Sequence, residues 1–258
     1  MLGDLPRISV GPCLAELDPA LDKSLERLRS DDCEMVIADL DQDGAIASRF
    51  GKIEGVPTIS RTDFLPRSGC GVRLVDLNGR IGIRKEFGTR RGRFVQELEA
   101  LIALERFGCP VPRVMNVDWD EQSITMTFIR GQPVRELLAL AGAKIRDRDD
   151  PRPYSRSIDR ERIRAGRAQL AKVLSRSQID AVAAALASIH EAGFAIEDVK
   201  FGNIIIEEGT GKPFFVDLER ALPTSSLPRP LAAYLHDIDL RKFDEHFTTP
   251  DEDRGGRA

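Results

Sequence analysis

The chain has 258 residues, with 38 Lys and Arg against 42 Asp and Glu for a net charge of −4, and is 41% hydrophobic and 31% charged. That length can bury a good core as one domain of two lobes or as two small domains, and the acidic balance gives no general reason to expect nucleic acid or an anionic membrane as partner. Cys13, Cys33, Cys70 and Cys109 are scattered, with no Cys-x-x-Cys and no neighbouring His, which argues against a disulfide framework or zinc site and for a reducing cytosol. No run approaches the ~20 apolar residues that span a bilayer, and Met1-Leu2-Gly3-Asp4 lacks the basic-then-apolar layout of a signal peptide, so a cytoplasmic location is expected.

Residues 1–57 read as an N-terminal extension without an assigned role. Leu14, Leu17, Leu21, Leu25 and Leu28 fall at helical spacing, and Asp18-Pro19 can cap a second start within that run. Met35 to Leu40 reads as a short strand or helix end. Asp39, Asp41, Asp43 and Gly44 begin like a calcium loop, but Phe50 stands where the pattern needs Glu, so a plain turn is expected.

From Pro57 the character changes to strands. Gly71 to Leu77 and Arg80 to Phe87 flank Asn78-Gly79, the strongest short hairpin signal. Ahead of them Ser68-Gly69-Cys70-Gly71 is a small flexible tip, either a phosphate-cradling loop or a simple turn. In the second strand Ile81, Ile83 and Lys85 alternate onto one face. A lysine there must snorkel or find a negative partner, because burying an unpaired ammonium is costly. Phe94 to Phe107 has the apolar spacing of an amphipathic helix, stopped by Gly108 and Pro110-Val111-Pro112. Glu97 and Glu99 lie in its first turns; either can meet Lys85, or both are surface carboxylates. Arg113 to Trp119 and Ser123 to Ile129 form a second hairpin, broken by Arg130-Gly131-Gln132-Pro133 as a hinge before a helix over 134–143.

Residues 144–176 hold eleven basic residues against five acids, 11 − 5 = +6 in a chain that is negative as a whole. They form a solvated helical insertion with mixed salt bridges, or a basic platform for a phosphorylated or membrane-surface substrate. Aromatics are nearly absent there, which speaks against single-stranded nucleic acid. Gln178 to Glu191 has one inward-packing face, Ile179, Val182, Leu186 and Ile189, and Gly193 ends the helix.

The stretch 193–220 then presents Asp198, Lys200, Asn203 and Asp217 around two apolar runs, Ile204-Ile205-Ile206 and Phe214-Phe215-Val216. The runs flank the turn Gly209-Thr210-Gly211-Lys212, the pattern of a short buried hairpin with polar groups at its mouth. Polar groups at the ends of rigid strands suit a metal and a phosphate. A helical piece from Leu231 to Phe247 follows, and 249–258 form a charged tail.

In this order, a strand lysine, a helix glutamate, a hinge, a long helix and then Asp198, Asn203 and Asp217 resemble the protein-kinase-like phosphotransferase fold. The resemblance covers roughly residues 60 to 247. Ile196 to Asn203 is similar to the catalytic loop H-x-D-x-K-x-x-N, and Asp217 stands where the metal-binding D-F-G lies. The Arg84-Lys85 strand end resembles V-A-I-K. Glu97 to Leu101 with Cys109-Pro110-Val111-Pro112 is similar to the helix and loop of aminoglycoside phosphotransferases, and Met126 to Gly131 to their hinge. The implied architecture is an α+β, bilobal fold, with a small antiparallel-sheet N-lobe and hinge over 58–131 and a compact helical C-lobe over 132–248.

Phosphoryl transfer needs the charge on the triphosphate neutralised and the attacking hydroxyl aligned. The resemblance implies ATP and Mg²⁺ as cofactors. Lys85, positioned by Glu97, would hold the α- and β-phosphates under the tip carrying Gly69 and Gly71. Asn203 and Asp217 would hold Mg²⁺, Asp198 would accept or orient the hydroxyl proton, and Lys200 would steady the γ-phosphate. Adenine would bond to the hinge main chain around Thr127 and Ile129.

Three departures matter. Ile196 replaces the catalytic-loop His, Glu219 replaces the Gly of D-F-G, and no A-P-E follows, which argues against a regulated protein kinase of the eukaryotic type. Val216-Asp217-Leu218-Glu219-Arg220-Ala221 instead resembles the I-D-x-x-R-A run of the bacterial lipopolysaccharide core kinases that act on Kdo and heptose. A kinase for a sugar, a glycan or a glycolipid is therefore expected, with peripheral contact to an anionic inner membrane face through 144–176. The alternatives are a RIO-like serine/threonine kinase and a nucleotide-binding pseudokinase scaffold.

Overall fold

The computed structural model of the protein describes residues 34–39, 71–77, 79–143 and 156–248. The expectations placed on the leucine run from Leu14, the turn after Asp39, the glycine tip at Gly69, Asn78, residues 144–155 and the tail lie outside them. Five strands make one antiparallel sheet: β1 (Glu34–Asp39), β2 (Gly71–Leu77), β3 (Arg80–Glu86), β4 (Val114–Asp118) and β5 (Ser123–Thr127), in the order β1-β2-β3-β5-β4. Part of the segment read as an extension is thus the edge strand of the sheet. The register of β2 and β3 runs from Gly71 opposite Glu86 to Leu77 opposite Arg80, closed by a turn in which Asp76 Oδ1 accepts from the Gly79 N–H at 2.6 Å.

Helix α1 (Arg91–Arg106) packs on the sheet. Its apolar positions Phe94, Leu98, Leu101 and Ile102 recur at the i, i+4, i+7, i+8 spacing of one face and are all buried. Removing a side chain of this size from water stabilises the fold by roughly 1.5–3 kcal/mol. The helix stops in a Schellman arrangement, Cys109 N–H to Leu104 O at 3.0 Å and Gly108 N–H to Glu105 O at 2.9 Å.

The segment expected to break the second hairpin and act as a hinge does more. Gly131–Pro133 is a strand, β6, that pairs with β8 (Ile204–Glu207), and β8 pairs in turn with β9 (Pro213–Phe215). Only a glycine permits this approach, since a Cβ at Gly131 would lie 2.1 Å from the Ile206 carbonyl oxygen. The link between the two halves of the chain is therefore tied into the hairpin that leads to Asp217.

Helices α2 (Val134–Leu140), α3 (Arg156–Val173), α4 (Arg176–Glu191) and α5 (Arg229–Phe247) complete the α-helices of the described residues. Helix α4 begins with a capping box between Ser175 and Gln178. After it Gly193 takes φ 82°, a left-handed turn that a side chain would resist. The described part of the basic segment is α3, in which Leu170 is fully buried while Arg160, Arg164 and Lys172 are exposed. One hydrophobic cluster runs from Phe87, Phe94 and Leu98 through Phe215 to Leu186 and Ile189, so sheet and helices share a core. The architecture is a mixed α+β one built on antiparallel sheets. Among the described residues no helix is long and apolar enough to cross a membrane.

Candidate active site

Lys85 leaves the end of β3 with 9% of its surface exposed and passes the Phe87 ring at 5.1 Å from its centroid. Its ammonium ends between two carboxylates, 2.6 Å from Glu97 Oε2 and 2.6 Å from Asp217 Oδ1. The choice between Glu97 and Glu99 falls to Glu97. Two positions apart on a helix point nearly opposite ways, and Glu97 is 1% exposed while Glu99 is only partly buried.

Burial alone would lower the Lys85 pKa, but Glu97 and then Asp217 outweigh it and hold the ammonium above its usual value. Burial raises Glu97 to about 7 against the pull of Lys85, with Asp217 and Glu219 adding like charge. Asp217 goes the other way: burial pushes it up, and Lys85 brings it below the ordinary carboxylate value.

The turn at Gly193 feeds β7 (Phe194–Ala195), which pairs with β10 (Leu222–Pro223). The loop between β7 and β8 then lays out the polar groups. Lys200 Nζ bonds Asp198 Oδ2 at 2.5 Å. Asn203 donates through Nδ2 to the Asp198 carbonyl and to Asp198 Oδ2, both at 3.1 Å. The Asn203 carbonyl accepts from the Val216 N–H at 2.9 Å, which fastens this loop to the residue before Asp217. Of the three non-glycine residues at positive φ among the described residues, two are here, Glu197 at 60° and Asp217 at 61°. Each costs roughly 1–2 kcal/mol against an ordinary conformation, and such strain collects where function holds it in place.

Asp239 was not singled out by the sequence. Its side chain is 0% exposed and accepts from Ile196 N–H at 2.7 Å, Glu197 N–H at 2.8 Å and His190 Nε2 at 3.1 Å. The signal available was Leu235 and Asp239 four apart on the buried stripe of α5, an acid where an apolar residue belongs. The His190 ring stacks on His236 at 4.1 Å, and burial, helped by His190, lowers the His236 pKa. From the same helix, Lys242 Nζ donates to the Glu197 carbonyl.

Glu219 is also fastened. Its Oε2 lies 3.4 Å from Arg90 and 3.9 Å from Lys85, and Arg93 donates to its carbonyl at 2.8 Å. Ligand atoms of Glu97, Asp217 and Glu219 fall within 4.8 Å of one another, but the Lys85 ammonium already stands among them. Asn203 with Asp217 offers the other pair of oxygens.

The remaining predicted residues divide. Gly71 is the first residue of β2, opposite Glu86 and next to Val72, which faces Lys85 across the ladder; Gly69 lies outside the described residues. Thr127 spends its N–H on the Arg113 carbonyl at 2.8 Å and its hydroxyl on the Arg113 N–H at 3.0 Å. Ile129 is 9% exposed, and its N–H has no partner among the described residues. A cleft of about 480 Å³ opens beside Phe128 and Arg130, between the turn at Gly79 and the β8–β9 turn. It lies a strand length, roughly 13 Å, from Lys85 and Asn203, so it adjoins the 127–129 segment and not the charged end. Among known proteins, no family model and no curated protein matches the chain.

Proposed function

We propose that the chain is an ATP- and Mg²⁺-dependent kinase with the bilobal protein-kinase-like fold. The five-stranded sheet and α1 act as its small lobe and the helices as its compact second lobe. It moves the γ-phosphoryl group of ATP to a hydroxyl of a sugar or lipopolysaccharide-core glycan. The observation that carries this reading is Lys85, held at 2.6 Å from both Glu97 and Asp217, residues brought together from a strand, a helix and a loop.

The donor atoms fit the metal. Asn203 spends its Nδ2 on Asp198 and has Oδ1 left to offer, while Asp217 spends Oδ1 on Lys85 and keeps Oδ2. Two hard oxygens of this kind suit Mg²⁺, and these two residues would hold it. Bound there, Mg²⁺ with ATP supplies the phosphoryl group and neutralises charge on the triphosphate. Lys85 would hold the α- and β-phosphates, with Glu97 fixing its reach. Asp198, steadied by Asn203, takes the proton of the acceptor hydroxyl. Lys200 turns from Asp198 to the γ-phosphate, and its side chain is 44% exposed, so it has room to do so. The buried Ile129 N–H and the Thr127 carbonyl are offered to adenine. The sugar or glycan acceptor rests on the 216–221 run alone, because the acceptor pocket does not follow from the fold.

A second reading, a nucleotide-binding scaffold without transfer, has one observation in its favour: the Glu219 carboxylate, 3.9 Å from Lys85, adds negative charge where phosphates would lie. Labelled ATP offered with core oligosaccharides, sugars, aminoglycosides and protein substrates separates the two. Transfer abolished by Asp217→Ala is the expected result, and undiminished transfer by that variant would sink the assignment. Magnesium-dependent stabilisation by ATP without turnover would favour the scaffold.

A further inference from the structure

Two successive peptide planes lead into Asp198, and α5 pins each of them with a different charge. The plane between Ile196 and Glu197 carries the Glu197 N–H, which goes to Asp239 Oδ1 at 2.8 Å; the Ile196 N–H, one plane earlier, goes to Oδ2 at 2.7 Å. The plane between Glu197 and Asp198 carries the Glu197 carbonyl, which accepts from Lys242 Nζ. Asp239 and Lys242 are three apart on α5, so one helix face presents a carboxylate and an ammonium side by side. Between the two pinned planes Glu197 is held at φ 60°.

We infer that Lys242 is a positioning residue for Asp198. This rests on the reading of Asp198 as the group that takes the acceptor proton. Swinging the peptide plane between Glu197 and Asp198 would change φ at Asp198, and with it the direction of the Asp198 side chain. Asp239 cannot prevent the swing, because its bonds end at the Glu197 N–H. The Lys242 ammonium opposes it, because the swing would carry the carbonyl away from the cation. Lys242 thus holds the peptide plane leading into Asp198 on which the carboxylate has no grip. The Glu197 carboxylate, 3.9 Å from Arg220, is not part of this hold.

The test uses the full chain with MgATP and follows ATP turnover, with water as acceptor. Lys242→Met lowers kcat roughly 10- to 100-fold, the scale of a small misplacement at a reacting centre, with KM for ATP within about twofold. Lys242→Arg recovers most of the rate. Unchanged kcat in Lys242→Met, or a change confined to KM, overturns the inference. If the wild-type chain turns over no ATP, the proposed function fails on its own. Amide exchange at Asp198 then decides: faster exchange in Lys242→Met upholds the hold and unchanged exchange refutes it.

Discussion

Removing the Asp239 carboxylate should do more damage than any other single deletion outside the charged triad. Asp239 is 0% exposed and receives two main-chain N–H groups at 2.7 and 2.8 Å, at the short end of the N–H···O range. Asp239→Ala leaves both N–H groups without a partner in a dry interior, at about 1–3 kcal/mol each. It also strands His190, whose Nε2 sits 3.1 Å from the same carboxylate. The loss comes to about 3–5 kcal/mol, a large part of the ~5–15 kcal/mol by which domains are stable.

At ~2–4 °C per kcal/mol for a chain of this size, the melting temperature of Asp239→Ala should fall by about 6–20 °C. Asp239→Asn keeps one carbonyl acceptor but must aim its NH₂ at a second donor, so it should lose about half as much. Differential scanning fluorimetry, with amide exchange at Ile196 and Glu197, reads both effects. A melting temperature for Asp239→Ala within ~2 °C of wild type would refute the reasoning, because it would mean that water or a shifted loop satisfies those donors at no net cost.

Two further outcomes are expected. The Glu97 carboxyl should titrate near 7 in the nucleotide-free protein. Its folded value lies above its unfolded one, so the stability it contributes is full below the unfolded value and is lost as pH rises through about 7. Carboxyl carbon shifts measure this directly, Glu219→Gln should lower the midpoint by removing a like charge, and an ordinary carboxylate midpoint in the wild type would contradict it. If the acceptor is lipid-linked, the exposed Arg160, Arg164 and Lys172 of α3 should help the chain sediment with phosphatidylglycerol vesicles. Binding of that kind weakens as salt is raised; indifference to vesicles would point to a soluble acceptor.

What the sequence shows well is whatever is local. The hairpin around Gly79, the helices α1 and α4 and the β8–β9 pair follow from periodicity, caps and turn residues within one window, and each appears within a few residues of its expected place. What it hides is pairing over long separations. Gly131–Pro133 looks like a break because three residues carry no period, yet it is a strand once Ile206 lies beside it. Likewise β1 joins the sheet across a long intervening segment. Lys85, Glu97 and Asp217 were grouped by the order of motifs, but that Glu97 and not Glu99 meets the lysine needs the direction of a helix face.

Glu219 shows how a residue can change meaning once its neighbours are placed. In the sequence it stands only as a missing glycine. In the fold its carboxylate reaches Arg90, its carbonyl takes a bond from Arg93, and two residues on the Ala221 carbonyl takes one from Gln96 at 2.9 Å. Arg93, Gln96 and Glu97 lie on one side of the start of α1, three and four apart, where helix geometry stacks side chains. The segment after Asp217 is thereby fastened to the same helix that carries Glu97. A glycine at 219 could still offer its carbonyl to Arg93 but could not answer Arg90, so the side chain adds a charged link between the helix and the loop of the two carboxylates that grip Lys85. The same carboxylate raises Glu97 toward 7. Glu219 thus tightens the frame of the site and loads it with negative charge, and a cation bound near Asp217 would offset that charge.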